Sequence, residues 1–243
     1  MPRESHKMNS HLLCTISMRG GSKGVPNKNL RKLYGKPLMA YTIEQAIQSE
    51  LFEHVVVSTD SEKITEVAIS FGAEAWFLRP PEMATDEASK LPAIRHALLE
   101  SERHFGHKFD VLVDLDVTSP LRRIGDITGA YEQFVREDAD ILITANPSRK
   151  NPYFNMVENV DGRIQIVKQL DKPIVRRQDA PQVFGMNASI YIWKREALLG
   201  YDTLFTDRTV LYVMPEERSV DIDTELDWNI VEYIIGKSAD FND

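Results

Sequence analysis

The densest chemistry in the chain lies in eleven residues, Arg19-Gly-Gly-Ser-Lys23-Gly-Val-Pro-Asn-Lys28-Asn29. Three glycines let backbone come close to a ligand, Ser22 adds a hydroxyl, and Arg19, Lys23 and Lys28 supply positive charge. A solvated basic turn is the plainer reading of such a stretch. Its position argues otherwise, because it directly follows the apolar run Leu12–Met18, where the C-terminal end of a first strand would open onto a binding crevice. The stretch reads as a phosphate cradle. It contains neither a Walker A nor a GxGxxG pattern, so P-loop and dinucleotide readings lose support.

Two Asp-x-Asp elements offer metal chemistry. In Asp221-Ile222-Asp223 the carboxylates share one face of an extended chain, an arrangement suited to a hard, oxygen-seeking ion such as Mg²⁺. A helix pattern begins just after them, so Asp223 is also a candidate N-cap; capping accounts for one aspartate and leaves the other unexplained. Asp114-Leu115-Asp116 ends another apolar run. Taken alone, it resembles the metal-binding pair of nucleotide-sugar glycosyltransferases, which makes such an enzyme the alternative function. The six histidines show no ligand spacing on a helical face and read as surface or packing residues, as the three tryptophans read as core.

These groups need a scaffold, and the hydrophobic pattern predicts one. Leu12–Met18, His54–Thr59, Ala75–Leu78, Val111–Leu115 and Asp140–Ala145 read as buried strands. Met39–Gln48, Glu62–Phe71, Ser89–Phe105 and Asp126–Arg136 carry helical periodicity. The alternation predicts an α/β fold with a Rossmann-like, mostly parallel sheet flanked by helices. The pattern changes after Asn146-Pro147. Tyr153–Val160 and Arg163–Val167 alternate around Asp161-Gly162, a hairpin signal. Residues 147–182 are therefore expected to form a small insertion, a lid or dimerisation arm. The main α/β domain itself would comprise 11–146 and 183–243. Met186–Trp193 and Val210–Met214 return as strands, Glu225–Ile235 closes as a helix, and residues 1–10 read as a disordered tail.

Composition narrows the function classes. With 29 Lys and Arg against 37 Asp and Glu, the net charge of −8 opposes nonspecific nucleic-acid binding. No apolar run reaches the roughly 20 residues of a membrane span, and residues 1–10 lack the apolar segment of a signal peptide. The lone Cys14, inside the first strand run, excludes a disulfide within the chain and favours a reducing, cytoplasmic setting.

The phosphate loop, read as Arg-x-x-Ser-Lys-Gly-x-x-x-Lys-Asn, resembles that of the acylneuraminate cytidylyltransferases. The resemblance continues in order through Val57-Ser58-Thr59-Asp60, Arg79-Pro80-Pro81-Glu82-Met83-Ala84-Thr85-Asp86, Thr118-Ser119-Pro120-Leu121-Arg122 and Ser219-Val220-Asp221-Ile222-Asp223-Thr224-Glu225. It spans about residues 11–235 and implies a fold of the nucleotide-diphospho-sugar transferase type, acting on CTP and a nine-carbon sugar acid with Mg²⁺. By that resemblance Arg19, Ser22 and Lys23 handle the triphosphate, Lys28 lies near it and Asn29 contacts the nucleoside. Arg79, Asp86 and Ser89 border the cytosine end. Asp221 and Asp223 hold the metal and, with Arg19 and Lys23, form the catalytic set. Asp116, Thr118, Ser119, Lys168, Arg177, Gln178, Asn187 and Tyr191 fall at sugar-side positions. The sequence departs from the neuraminate pattern at Gly185, commonly arginine there, and at Asp116, often glutamine. Both departures point toward a legionaminic-type acid. The resemblance also implies a homodimer formed through the 147–182 arm.

Overall fold

The strands of the computed structural model, which describes residues 10–22, 24–85, 87–172 and 174–237, are, in chain order, β1 (Leu12–Ser17), β2 (Lys32–Leu33), β3 (Lys36–Pro37), β4 (His54–Ser58) and β5 (Val111–Leu115). They continue with β6 (Ile141–Pro147), β7 (Val157–Val160), β8 (Arg163–Ile166), β9 (Phe184–Lys194) and β10 (Thr209–Val213). The helices are α1 (Leu38–Gln48), α2 (Glu62–Ser70), α3 (Lys90–Phe105), α4 (Ile124–Arg136), α5 (Arg195–Gly200) and α6 (Glu225–Lys237).

Six strands form the central sheet in the order β10-β6-β9-β5-β1-β4. β1 lies parallel to both β4 and β5, and β10 lies parallel to β6; only β9 runs antiparallel to its two neighbours. Both faces are covered, which is why β1 reads as an unbroken apolar run. Leu12, Cys14 and Ile16 point into the core beneath α1, α2, α4 and α6, while Leu13 points into the smaller core beneath α3 and α5. α4 shows the sequence logic of these helices: Ile127, Ala130 and Phe134 recur on one buried face.

After β1 the chain turns to one side to form β4, then crosses back to form β5 on the other side. The loops leaving β1 and β5 therefore diverge, opening a crevice at the strands' C-terminal ends, where open α/β sheets bind ligands. Arg122 holds that end together. It is 1 % exposed and donates to the carbonyl of Ser189 at 2.6 Å, to Thr42 Oγ1 at 3.1 Å and to Gln45 Oε1 at 3.1 Å. One guanidinium thus joins the β5 loop, β9 and α1, and burial lowers its pKa to about 10.

The predicted strand at Ala75–Leu78 is absent. Pairing with β4 stops at a single bridge between Val56 and Glu74. The aromatic residues that follow pack on α3 instead: Trp76 stacks on His104 with centroids 4.1 Å apart, and Phe77 meets His96 edge-on at 5.4 Å. The Asp161-Gly162 hairpin is present as β7 and β8, a separate two-stranded sheet with largely exposed side chains. Both turn residues have positive φ, 51° and 81°, as a two-residue turn of the right twist requires. Among the described residues no helix is long and apolar enough to cross a membrane.

Candidate active site

The glycine loop leaves β1 and is held by its own polar side chains. Ser22 Oγ donates to the carbonyl of Val25 and accepts from the Lys28 N–H at 3.1 Å. Asn29 is buried and donates from Nδ2 to the Arg19 carbonyl at 2.9 Å, while the Gly20 N–H donates to Asp60 Oδ1 at 2.8 Å. Ser22 and Asn29 therefore shape the cradle as well as line it. Lys23 lies outside the described residues, as does Asp86.

The loop packs directly on Asp221-Ile222-Asp223. A Cβ on Gly24 would collide with the carbonyl oxygen of Asp223, so only glycine allows this approach. Lys28 Nζ donates to the Ile222 carbonyl and lies 3.7 Å from Asp223 Oδ1. Ile222 is fully buried, and its N–H donates to the Thr118 carbonyl at 2.9 Å. Anchoring the middle residue in the core turns Asp221 and Asp223 the other way. The helix cap foreseen for Asp223 is supplied instead by Thr224 and Asp227. Asp227 Oδ2 accepts from the Thr224 N–H at 2.7 Å, and the Asp227 N–H donates to Thr224 Oγ1 at 3.3 Å, a reciprocal capping box.

The crevice between these loops holds about 380 Å³ and is lined by Arg19, Ser22, Lys28, Asn29, Arg79, Ser89, Lys90, Asp116, Thr118 and Asp223. Arg79 is 7 % exposed and grips the end of β4 by donating from Nη2 to the Ser58 carbonyl at 2.7 Å and from Nε to Ser58 Oγ at 3.2 Å. Burial lowers its pKa, opposed by the charges of Asp114 and Asp60. Ser89 precedes α3 without spending its hydroxyl on a cap.

Lys90 is the site residue that sequence reasoning missed. Its Nζ lies 2.8 Å from Asp114 Oδ2, 2.8 Å from Asp116 Oδ2 and 5.4 Å from the centre of the Tyr191 ring. Asp114 is fully buried and accepts from Thr15 Oγ1 at 2.8 Å. Burial alone would raise the Asp116 pKa, yet Lys90 and two hydrogen bonds from Thr118 (3.0 Å from N–H, 2.9 Å from Oγ1) hold it at about 2. Both carboxylates of Asp114-Leu115-Asp116 are thus already engaged by one ammonium, which removes the main ground for a glycosyltransferase. One signal for Lys90 was present in the sequence: a cation at the first position of a helix opposes the helix dipole, and such local conflicts mark working residues.

Asp221 stands in the opposite condition. Its Oδ1 is buried without a hydrogen-bond partner. Burial, joined by the charges of Asp116 and Asp223, raises its pKa to about 6, although Thr118 and Lys28 pull the other way. A buried carboxylate short of positive charge, beside the 75 %-exposed Asp223 side chain, fits a divalent cation. With Asp116 committed to Lys90, two protein carboxylates remain, and phosphate oxygens and water would complete the shell as they do for Mg²⁺.

The sugar-side residues divide. Asp116 and Thr118 line the crevice, and Tyr191 borders an adjoining hollow of about 180 Å³ that shares Ser89 and Lys90. Ser119 is fully buried and donates to the Asn187 carbonyl at 3.3 Å. Asn187 is 3 % exposed, and its amide is consumed inside the protein. Its Oδ1 accepts from Thr144 Oγ1 at 2.7 Å and its Nδ2 donates to Ser219 Oγ at 3.0 Å. Both sit beneath the site. Lys168, Arg177 and Gln178 lie on the arm: Lys168 Nζ is 5.5 Å from the centre of the Tyr153 ring, and Arg177 and Gln178 line a separate hollow beside Pro147 and Ser148. The fold does not bring these three to the crevice of their own chain. A larger hollow of about 590 Å³ opens at the far end of the sheet, where Lys194 pairs with Asp138 and Asp140 and Arg195 with Glu102.

Residues 13–231 match the family described as Cytidylyltransferase. The chain is 50 % identical over 226 residues to the CMP-N,N'-diacetyllegionaminic acid synthase of Campylobacter jejuni, covering 93 % of this chain and 95 % of that protein. It is 34 % identical over 218 residues to an N-acylneuraminate cytidylyltransferase of Streptococcus agalactiae, covering 89 % of this chain and 51 % of that one. Among solved structures, a CMP:2-keto-3-deoxy-manno-octonic acid synthetase complexed with CTP superposes with a TM-score of 0.67 at 17 % identity, over 93 % of this chain and 99 % of the other. At that identity the superposition speaks to the fold.

Proposed function

The chain belongs to the cytidylyltransferase family, and from that membership we propose that it transfers CMP from CTP to the anomeric hydroxyl of a nonulosonic acid, with release of pyrophosphate. The observation that carries this reading is the join between the glycine loop and the Asp221–Asp223 segment: Lys28 bonds the Ile222 carbonyl, and Gly24 lies against the Asp223 backbone. A triphosphate in the loop would then lie beside both carboxylates.

In this mechanism the chain's own residues position and compensate charge. Arg19 and Lys23 would compensate the charge of the departing pyrophosphate, and backbone N–H groups of the loop would hold the α-phosphate for in-line attack. Asp221 and Asp223 would hold Mg²⁺, which supplies charge neutralisation to the phosphates when bound. Arg79 and Ser89 border the nucleoside, with Asn29 fixing the loop beneath it. On the sugar side, Asp116 accepts from amide N–H or hydroxyl groups, and Lys90 keeps it ionised at every working pH.

Two features support a legionaminic-type acid over N-acetylneuraminate. Gly185 leaves open space, with only Asn146 Oδ1 at 3.9 Å from where a Cβ would stand, and Asp116 offers an acceptor. The relative named for the legionaminic acid is also the nearer of the two compared, 50 % against 34 %. The arm's displacement from its own crevice supports a homodimer in which Lys168, Arg177 and Gln178 serve a neighbouring site, with Arg177 suited to a sugar carboxylate. CTP use and a buried thiol at Cys14 favour a cytoplasmic enzyme.

The test is kcat/KM for a panel of nonulosonic acids with CTP, ATP, GTP and UTP, read by pyrophosphate release. The proposal requires turnover with CTP and a diacetamido acid. Failure with every acid would overturn the reaction; a preference for N-acetylneuraminate would overturn the substrate alone.

A further inference from the structure

The N-terminal ends of β1, β4 and β5 lie at the sheet edge opposite the crevice. There, His11, Glu53 and His107 come together from three separate connections, with ligand atoms all within 4.8 Å of one another. We propose that these three side chains form a binding site for a late first-row divalent metal ion, Zn²⁺ in the first instance.

One carboxylate faces two imidazoles. Glu53 Oε2 lies 2.8 Å from His11 Nδ1, and Glu53 Oε1 lies 3.4 Å from His107 Nε2. The two rings are 4.8 Å apart between centroids. Hydrogen bonding satisfies only the first pair, since His107 Nε2 is buried without a hydrogen-bond partner. A tetrahedral ion with bonds near 2.1 Å sets its ligand atoms about 3.4 Å apart; the Glu53–His107 pair already stands at 3.4 Å, the His11–Glu53 pair would open from 2.8 Å, and the widest spacing in the cluster, within 4.8 Å, would close. Two nitrogens and one oxygen suit Zn²⁺ and its neighbours, and do not suit Mg²⁺ or Ca²⁺.

The surroundings hold the three groups in place. The His11 N–H donates to Asp110 Oδ2 at 2.9 Å, the Asp110 N–H donates to the His11 carbonyl at 2.9 Å, and the Glu53 N–H donates to the Leu12 carbonyl at 3.0 Å. His54 supports from behind: its Nδ1 lies 2.8 Å from Glu74 Oε1, its ring stacks on Phe105 at 3.6 Å, and its Nε2 faces Glu53 Oε1 at 4.0 Å. An ion here would staple the starts of three strands. It would act on stability and leave the chemistry of the crevice alone.

Calorimetric titration of Zn²⁺ into the tag-free full chain, in excess Mg²⁺ to occupy the crevice carboxylates, reads the site directly. The expected result is one saturable Zn²⁺ per chain, with affinity lowered about tenfold or more in His107→Ala and in Glu53→Gln and unchanged in His96→Ala. Zn²⁺ should also raise Tm more in the unsubstituted chain and in His96→Ala than in either ligand variant. No saturable binding, or undiminished affinity in both ligand variants, would overturn the proposal. Neither readout depends on turnover, so its failure is distinct from failure of the cytidylyltransferase reading.

Discussion

Replacing Asp221 by asparagine should make the metal-free protein more stable while disabling it. The folded state raises this carboxyl from its ordinary 3.8 to about 6, chiefly by burial and then by the charges of Asp116 and Asp223. A carboxyl with a raised folded pKa costs nothing while both states are protonated, below pH about 4. The cost grows as pH climbs and is complete above about 6. A rise from 3.8 to about 6 corresponds to about 3 kcal/mol, and partial exposure of the side chain trims this to about 2. An amide in its place would keep the shape and shed the charge, so Asp221→Asn gains that amount at neutral pH and little at pH 4. Urea unfolding followed by circular dichroism, in chelator and again in Mg²⁺, measures both effects. Mg²⁺ should stabilise the unsubstituted chain and leave the variant nearly unmoved. A variant less stable than the parent in chelator at neutral pH, or equal stabilisation of both by Mg²⁺, would refute the argument that the pocket is built short of positive charge.

The other expectations are briefer. Lys90→Met strands two carboxylates, one fully buried, and should cost about 3–5 kcal/mol at neutral pH; because Asp116 is held at about 2 in the fold, its share of the loss should shrink as pH falls from about 4 toward 2, and a pH-independent loss would exclude the charge argument. Gly24→Ala puts a methyl group into the Asp223 carbonyl and should reduce turnover at least about a hundredfold, with near-normal rates showing that the loop need not touch the Asp221–Asp223 segment. Lys23→Ala should weaken CTP binding more than CMP binding, since its place in the loop suggests the distal phosphates; equal losses in calorimetry would remove it from them. Light scattering should report a dimer at assay concentration, and a fully active monomer would exclude a partner's arm from the site.

Much of this arrangement was legible before folding. Buried strands declare themselves as apolar runs, so β1, β4, β5 and β6 were readable, and the Asp161-Gly162 turn marked its hairpin because few other dipeptides accept two positive φ values. The glycine loop and Asp221-Ile222-Asp223 stood out by residue type and spacing, and the fold packs them together. Contacts across distant sequence were not legible. Lys90 meets Asp116 because α3 packs over β1 and β4 while β5 lies next to β1, Arg122 reaches Ser189 across 67 residues, and His11 reaches Glu53 across 42. Asn187 falls at a sugar-side position by resemblance; beside the register shift between β6 and β9 its amide is buried and bonded to Thr144 and Ser219. Ala75–Leu78 read as a strand because its aromatic residues are as apolar as a strand's, and only α3 decides that they stack instead.

The central claim is that the crevice joins CMP to a sugar acid. Phosphorus NMR of the purified chain with CTP, Mg²⁺ and N,N'-diacetyllegionaminic acid tests it most directly. The account predicts that CTP signals disappear while one phosphodiester resonance and pyrophosphate grow in equal amounts, with no orthophosphate or CDP. Unchanged CTP, or conversion to CDP and orthophosphate without a phosphodiester, would contradict it.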